Sequence, residues 1–179
     1  ERFNPSFKWI KENLKQISIF YSVREVPLVS RNWDDGVTFD LMIHDIDLAL
    51  ALGGRVKTVS AMVQSVITQM DDIAHTVLEH ESGMISLLKA SRATENRRRM
   101  LKVTAKDKNV AIADLMQKTV AYFRDGVSSN IDFPDALPLD DELASFIHSI
   151  EHGTKPLVTL EDGHKSVEVV EKILCKFQQ

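Results

Sequence analysis

Apolar residues recur along this chain in two rhythms. From Thr38 to Gly54 the stretch "TFDLMIHDIDLALALGG" carries apolar residues all around a helical repeat, and Gly53 and Gly54 suit a helix C-terminus. Ahead of it, Asn4 as N-cap and Pro5 in the first turn predict a short helix running to about Leu14. Gln16 to Val26, "QISIFYSVREV", is rich in β-branched and aromatic residues and reads as a strand; Pro27 to Gly36 reads as a loop. Beyond Gly54 the rhythm shortens. Strands are predicted over Arg55–Ile67, Asp72–Gly83, Met84–Ala93, Arg97–Asp107, Lys108–Gln117 and Lys118–Gly126, with "ESG" and "KDKN" as tight turns between neighbours. Such a series implies a mainly antiparallel sheet. Pro134 and Pro138 bracket a connection, and Leu139 to Gly153 is an amphipathic helix closed by glycine. The tail reads as an extended segment, a turn at "EDG" (161–163) and a last helix. The expected class is α+β: an open, mainly antiparallel sheet with helices on one face. Met62, Val63, Val77, Leu88 and Val103 suggest that both sheet faces are partly apolar.

Composition narrows the class. The 179 residues suffice for one domain with a proper core, and 44% hydrophobic with 27% charged residues is ordinary for a globular protein. A formal net charge of -4 argues against nucleic-acid binding, and the basic run from Asn96 to Asn109 reads as a solvated strand and charged turn. The single cysteine, Cys175, has no partner for an internal disulfide; it reads as packing in the last helix, and the expected compartment is the cytoplasm. No apolar run approaches the roughly 20 residues that span a bilayer, so no membrane partner is expected. The chain opens on Glu1 in structured-looking sequence, and the expectation is a piece of a longer protein.

The chemistry concentrates in the 38–54 helix. Ionisable groups cost several kcal/mol to bury unless paired or used. Asp40 and His44 are four apart, hence neighbours on one helix face; a carboxylate beside an imidazole fixes its tautomer and favours the protonated form, which suits general acid–base catalysis. Asp47 is three residues from His44 and within its reach, while Asp45 projects elsewhere. A core histidine with rim charges explains the same short motif. The adjacent His44-Asp45 pair also resembles the centre of metal-dependent HD phosphohydrolases, but no histidine precedes it and the strand-rich sequence departs from that all-helical family. His75 and His80 fall on opposite strand faces. His148 and His152 lack an evident third metal ligand nearby, and His164 falls in the polar turn; no metal site is expected. Neither G-x-G-x-x-G nor G-x-x-x-x-G-K occurs, so the main site of any nucleotide cofactor lies elsewhere.

"ERFNP" at the start, the arginine-bearing loop followed by "GVTFDLMIHDID", the Gly-turn strand pair "EHESGMISLLKASRA" and the closing "KPLVTLEDGHKSVEVVEKI" together resemble the Gfo/Idh/MocA family of sugar oxidoreductases. The resemblance covers nearly the whole chain and implies its C-terminal domain, residues 1–179. It also implies that an N-terminal Rossmann domain, holding NAD or NADP and a lysine, is missing. Within the family the resemblance is nearest to members that oxidise C3 of UDP-N-acetylglucosamine for lipid A or surface-polysaccharide synthesis. It implies a sugar or sugar-nucleotide substrate, Asp40 orienting that sugar, and His44 as acid or base beside the missing lysine. Arg2, Arg24 and Arg31 are candidates for a diphosphate, because guanidinium binds phosphate in a bidentate way, and Asn4 is a candidate sugar contact. Surface ion pairs and N-capping explain these residues equally well. The resemblance further implies a homo-oligomer, dimer or tetramer, assembled through the open sheet face. A non-catalytic binding or scaffold module on the same fold is the other reading.

Overall fold

The computed structural model describes residues 1–28 and 34–175. Its elements, in chain order, are α1 (Pro5–Asn13), β1 (Ile17–Glu25), a π-helical turn (Thr38–Met42) running into α2 (Ile43–Gly53), β2 (Val56–Gln64), β3 (Ile73–His80) and β4 (Ile85–Ser91). There follow β5 (Arg98–Ala105), β6 (Val110–Asp114), β7 (Thr119–Arg124), β8 (Val127–Asp132), α3 (Pro138–His152) and α4 (Leu160–Leu174). The eight strands form one sheet in the order β2-β3-β4-β1-β5-β6-β7-β8. Only the β1–β4 pairing is parallel, with Phe20 opposite Ser86 and Ser22 opposite Leu88; the others are antiparallel. The α+β class with helices on one face therefore holds.

Alternation along the strands sorts the two faces. Phe20, Ala74, Leu78, Leu88, Leu101 and Val103 point into the core beneath the helices. Into that layer α1 sends Phe7 and Ile10, α2 sends Ile46, Leu48 and Ala49, and α4 sends Val169, Val170 and Ile173. Trp9 of α1 meets Tyr122 of β7 edge-on at 5.1 Å. The opposite face carries Ile19, Met62, Val77, Ile85, Leu87 and Phe123, all exposed. Of the five strand residues expected to reveal a two-faced sheet, Met62 and Val77 are on the open side, while Leu88 and Val103 are core and Val63 packs against it.

Three details differ from the sequence reading. Strand β8 was not foreseen, because "VSSNID" is mostly polar; its cue is Asp125-Gly126, both at positive φ (50° and 80°), the two-residue turn that joins Arg124 to Val127. The "EDG" stretch is not a turn before the last helix but its first turn. Thr159 accepts the Asp162 N–H through its hydroxyl, and the Asp162 carboxylate accepts the Thr159 N–H, a reciprocal cap that starts α4 at Leu160 and takes His164 into it. Cys175, expected to pack, is exposed just past α4.

Candidate active site

The 38–54 segment begins under unusual control. The Asp71 carboxylate accepts the Thr38 N–H at 2.7 Å, and the Asp71 carbonyl accepts the Val37 N–H at 2.8 Å. A Cβ on Gly36 would lie 1.5 Å from Asp71 Oδ1, so only glycine lets the chain pass this close. The helix then opens with a turn one residue wider than α, the Ile43 N–H reaching the Thr38 carbonyl. Such widened turns recur at functional sites, and they alter which side chains share a face.

Within that turn Asp40 meets a cation that follows β4. The Asp40 carboxylate accepts from Arg92 Nη2 at 2.8 Å, and among the described residues its ion pair is with Arg92, not His44. Arg92 follows β4, is almost wholly buried, and also donates to the Asp35 carbonyl. Its own N–H bonds the Asp72 carbonyl at 2.8 Å. Asp72 in turn is buried and gathers the N–H groups of Val66, Ile67 and Thr68 at 2.6–2.8 Å. Burial works to raise the Asp72 pKa, but these hydrogen bonds outweigh it and hold the carboxylate below its ordinary range. The segment between β2 and β3 thus fixes both the start of the helix and the guanidinium that grips Asp40.

His44 is exposed by area at the helix surface. The imidazole nonetheless has its pKa lowered, first by desolvation and next by the Arg24 guanidinium, with Glu1 and Asp45 opposing. This reverses the expectation that a neighbouring carboxylate favours the protonated form: desolvation and the buried Arg24 cation both act against the charged ring. Both effects favour the neutral imidazole, the form that can accept a proton.

The remaining carboxylates of the helix are anchors. Asp45, buried, receives Arg24 in bidentate fashion at 2.8 and 3.1 Å, and Arg24 also donates to Glu1 at 2.8 Å. Burial works against the charged guanidinium, but Asp45 and Glu1 outweigh it and hold Arg24 further into its protonated range. Asp47 pairs with Arg2, at 2.7 and 2.8 Å, rather than approaching His44; Arg2 also reaches Asp162 at 3.4 Å. Asn4 is buried with both ends of its amide occupied: Oδ1 accepts the Ser6 N–H, and Nδ2 donates to the Leu115 carbonyl. Arg2, Asn4 and Arg24, candidates for substrate contact, thus stand in internal bonds that tie the chain start to the helix and β1. Arg31 lies outside the described residues. His44 faces outward while Asp45 faces the core, so the adjacent pair does not converge on one ion. Among the described residues no three His, Cys, Asp or Glu side chains do. His148 and His152 stack with ring centroids 4.0 Å apart.

The residues that sequence reasoning passed over are Arg92, Asp71 and Asp72. All three lie in or beside predicted strands, and no local spacing links Arg92 to Asp40, 52 positions away.

Comparison with known proteins gives this geometry a context. A family profile described as the GFO/IDH/MocA C-terminal domain matches residues 18–110. The chain belongs to the GFO/IDH/MocA family. It is 29% identical over 131 residues to the UDP-N-acetylglucosamine 3-dehydrogenase of Acidithiobacillus ferrooxidans, covering 72% of this chain and 42% of that protein. A crystal form of that organism's UDP-N-acetylglucosamine 3-dehydrogenase GnnA superposes with a TM-score of 0.92 at 22% identity, over 97% of this chain and 58% of the other. Levoglucosan dehydrogenase, in complex with NADH and levoglucosan, superposes with a TM-score of 0.82 at 17% identity, over 97% of this chain and 61% of its own. At these identities the superpositions establish the fold. This chain spans between about two fifths and three fifths of each relative's length.

No helix among the described residues is long and apolar enough to cross a membrane.

Proposed function

We propose that this chain is the substrate-binding part of an NAD(P)-dependent dehydrogenase that oxidises a secondary hydroxyl of a sugar or sugar nucleotide. Among substrates, C3 of UDP-N-acetylglucosamine is the first choice, since a relative of that name matches by sequence and by fold. The observation that carries the reading is the presence, on one helix of a GFO/IDH/MocA domain, of a surface imidazole and a carboxylate gripped by a buried arginine. Oxidising an alcohol requires both an acceptor for the hydroxyl proton and a hold on the sugar. Here His44 accepts that proton and Asp40 fixes the hydroxyl's direction, while the C–H bond is lost from the same carbon and C=O forms. The nicotinamide, when bound, takes the hydride with its two electrons. This chain carries no glycine-rich phosphate loop, so the cofactor, NAD or NADP, belongs to an upstream Rossmann domain in this reading. Arg2, Asn4 and Arg24 hold the scaffold beneath the site, and the exposed apolar sheet face carries a dimer or tetramer. The compartment is the cytoplasm.

The test is made on the full-length protein, following NADH absorbance with UDP-N-acetylglucosamine and NAD, with His44→Ala in parallel. Turnover in the wild type that collapses in the variant supports both the class and the role of His44. A folded protein that binds NAD yet oxidises neither this nucleotide nor a panel of free sugars overturns the reading in favour of a scaffold module.

A further inference from the structure

Helix α3 is an unfinished piece of packing. Leu139, Leu143, Phe146, Ile147 and Ile150 recur at i, i+4, i+7, i+8 and i+11, one continuous stripe, yet each is more than half exposed. Ser149 is the one buried residue of this 15-residue element. A helix of this length is marginal in water without tertiary support, and its tether to α1 is the exposed Lys8–Asp141 pair. Nearby Leu160, at the start of α4, is 94% exposed.

We propose that the apolar stripe of α3 is the docking surface for the polypeptide that precedes Glu1 in the full-length protein, so that α3 belongs structurally to the junction between two domains. The inference rests on the reading above only in taking this chain to be the later part of a longer protein. Two observations select that occupant. The first is position. Phe3, three residues into the chain, lines the same cavity of about 320 Å³ as Leu139, Leu143 and Phe146, so upstream residues emerge beside the groove. A covalently attached partner there acts at a high effective concentration, an advantage no separate molecule has. The second is length. The matched family profile is by description a C-terminal domain, and 97% of this chain accounts for only 58% of the GnnA chain. The relatives thus carry further chain, and among the described residues the apolar side chains of this stripe stay more than half exposed.

The experiment uses the full-length protein with Ile147→Cys or Ile150→Cys, both at exposed positions. Reaction with a maleimide is read by peptide mapping, against Lys106→Cys in the β5–β6 turn as an exposed control. Both α3 thiols are expected to react at least about tenfold more slowly than the control, independently of protein concentration. Cleavage at a protease site inserted just before Glu1, followed by removal of the upstream piece, should restore fast labelling. Labelling as fast as the control in the intact protein overturns the proposal. So does protection that vanishes on dilution, which assigns the face to a second copy. Protection in a protein that binds no dinucleotide leaves the docking standing and removes the dehydrogenase reading; turnover of a sugar with unprotected thiols does the reverse.

Discussion

Replacing Arg92 by Met tests whether the grip on Asp40 is what makes the site. Methionine keeps most of the buried volume and removes the guanidinium. Two hydrogen bonds are lost: one charge-assisted, to the Asp40 carboxylate at 2.8 Å, and one to the Asp35 carbonyl. A charge-assisted bond contributes about 1.5–3 kcal/mol and a bond to a carbonyl about 1 kcal/mol. The Asp40 side chain is 34% exposed, so water can replace part of what it loses, and the low end applies to that bond. The expected loss of stability is therefore about 2–3 kcal/mol, read as a lower midpoint in urea with the slope unchanged. Function should fall by a separate route. In the proposed reaction, an Asp40 that no longer points in one direction would hold the reacting hydroxyl less well, and a cost of about 1.4–2.7 kcal/mol in the transition state is a 10- to 100-fold drop in kcat/KM. Arg92→Lys keeps the charge but not the planar fork, and should recover stability more than activity. A variant Arg92→Met with wild-type stability and unchanged kcat/KM would show that Asp40 is held by something else. Loss of stability with kcat/KM intact would make Arg92 a purely structural residue.

Three further outcomes are expected. Gly36→Ala should cost about 2 kcal/mol, because the new Cβ displaces the Asp71 carboxylate from the Thr38 N–H; a differential scan should show Tm lower by about 4–8 °C, and an unchanged Tm would sink the close-approach argument. His80 is buried between the Gly54 carbonyl and the Ser86 hydroxyl, and burial, only partly opposed by the Gly54 bond, lowers its pKa. Its unfolded form therefore binds a proton first, so the stability it confers is complete above the unfolded value near 6.5 and declines as pH falls from there toward the folded value. Urea midpoints measured between about pH 5 and 7.5 should show that decline, and His80→Gln should flatten it. Met62→Glu combined with Ile85→Glu places charges on the open sheet face, where both residues are exposed, and should lower the oligomer order seen by sedimentation without lowering the fraction folded; an unchanged assembly would move the interface elsewhere.

How much of this was legible in advance follows from the range of the forces involved. Strand positions from Ile17 to Arg124 and the two flanking helices follow from local periodicity, since alternation reports a half-buried sheet residue by residue. Strand β8 escaped because an edge strand with a polar face lacks that alternation, although the Asp125-Gly126 turn was present to betray it. In the site, His44 and Asp40 are visible as chemistry out of place in an apolar helix. Their relation is not. The i, i+4 rule assumes a regular helix, and the widened turn at Thr38–Met42 breaks the assumption at the residues that matter. Arg92 is invisible for a different reason: its distance from Asp40 is closed by the β1–β4 pairing and the Asp71–Asp72 connection, which no spacing encodes.

The helix with too many charges is best understood as one surface divided between two duties. Four ionisable residues fall between Asp40 and Asp47, and the fold deals with them by side. Asp45 faces inward and is met by Arg24 from β1; Asp47 faces the chain start and is met by Arg2. Each pair cross-links the helix to another segment, so removing one partner would leave a desolvated charge behind and release an element at once. Asp40 and His44 face outward, and they are treated differently from the anchors. Arg92 holds Asp40 by one edge while a third of the side chain stays open to solvent, and the His44 pKa is lowered first by desolvation and then by Arg24, the same guanidinium that anchors Asp45. One buried arginine therefore does two things: it pins the helix to the sheet, and it adds to the desolvation that disfavours the charged imidazole. Arg24→Met would unite those effects, whereas the substitution of Arg92 separates them, since Arg24, Glu1 and Asp45 are the side-chain charges that act most on His44. That separation is why the Arg92 variant can tell a scaffold from a site.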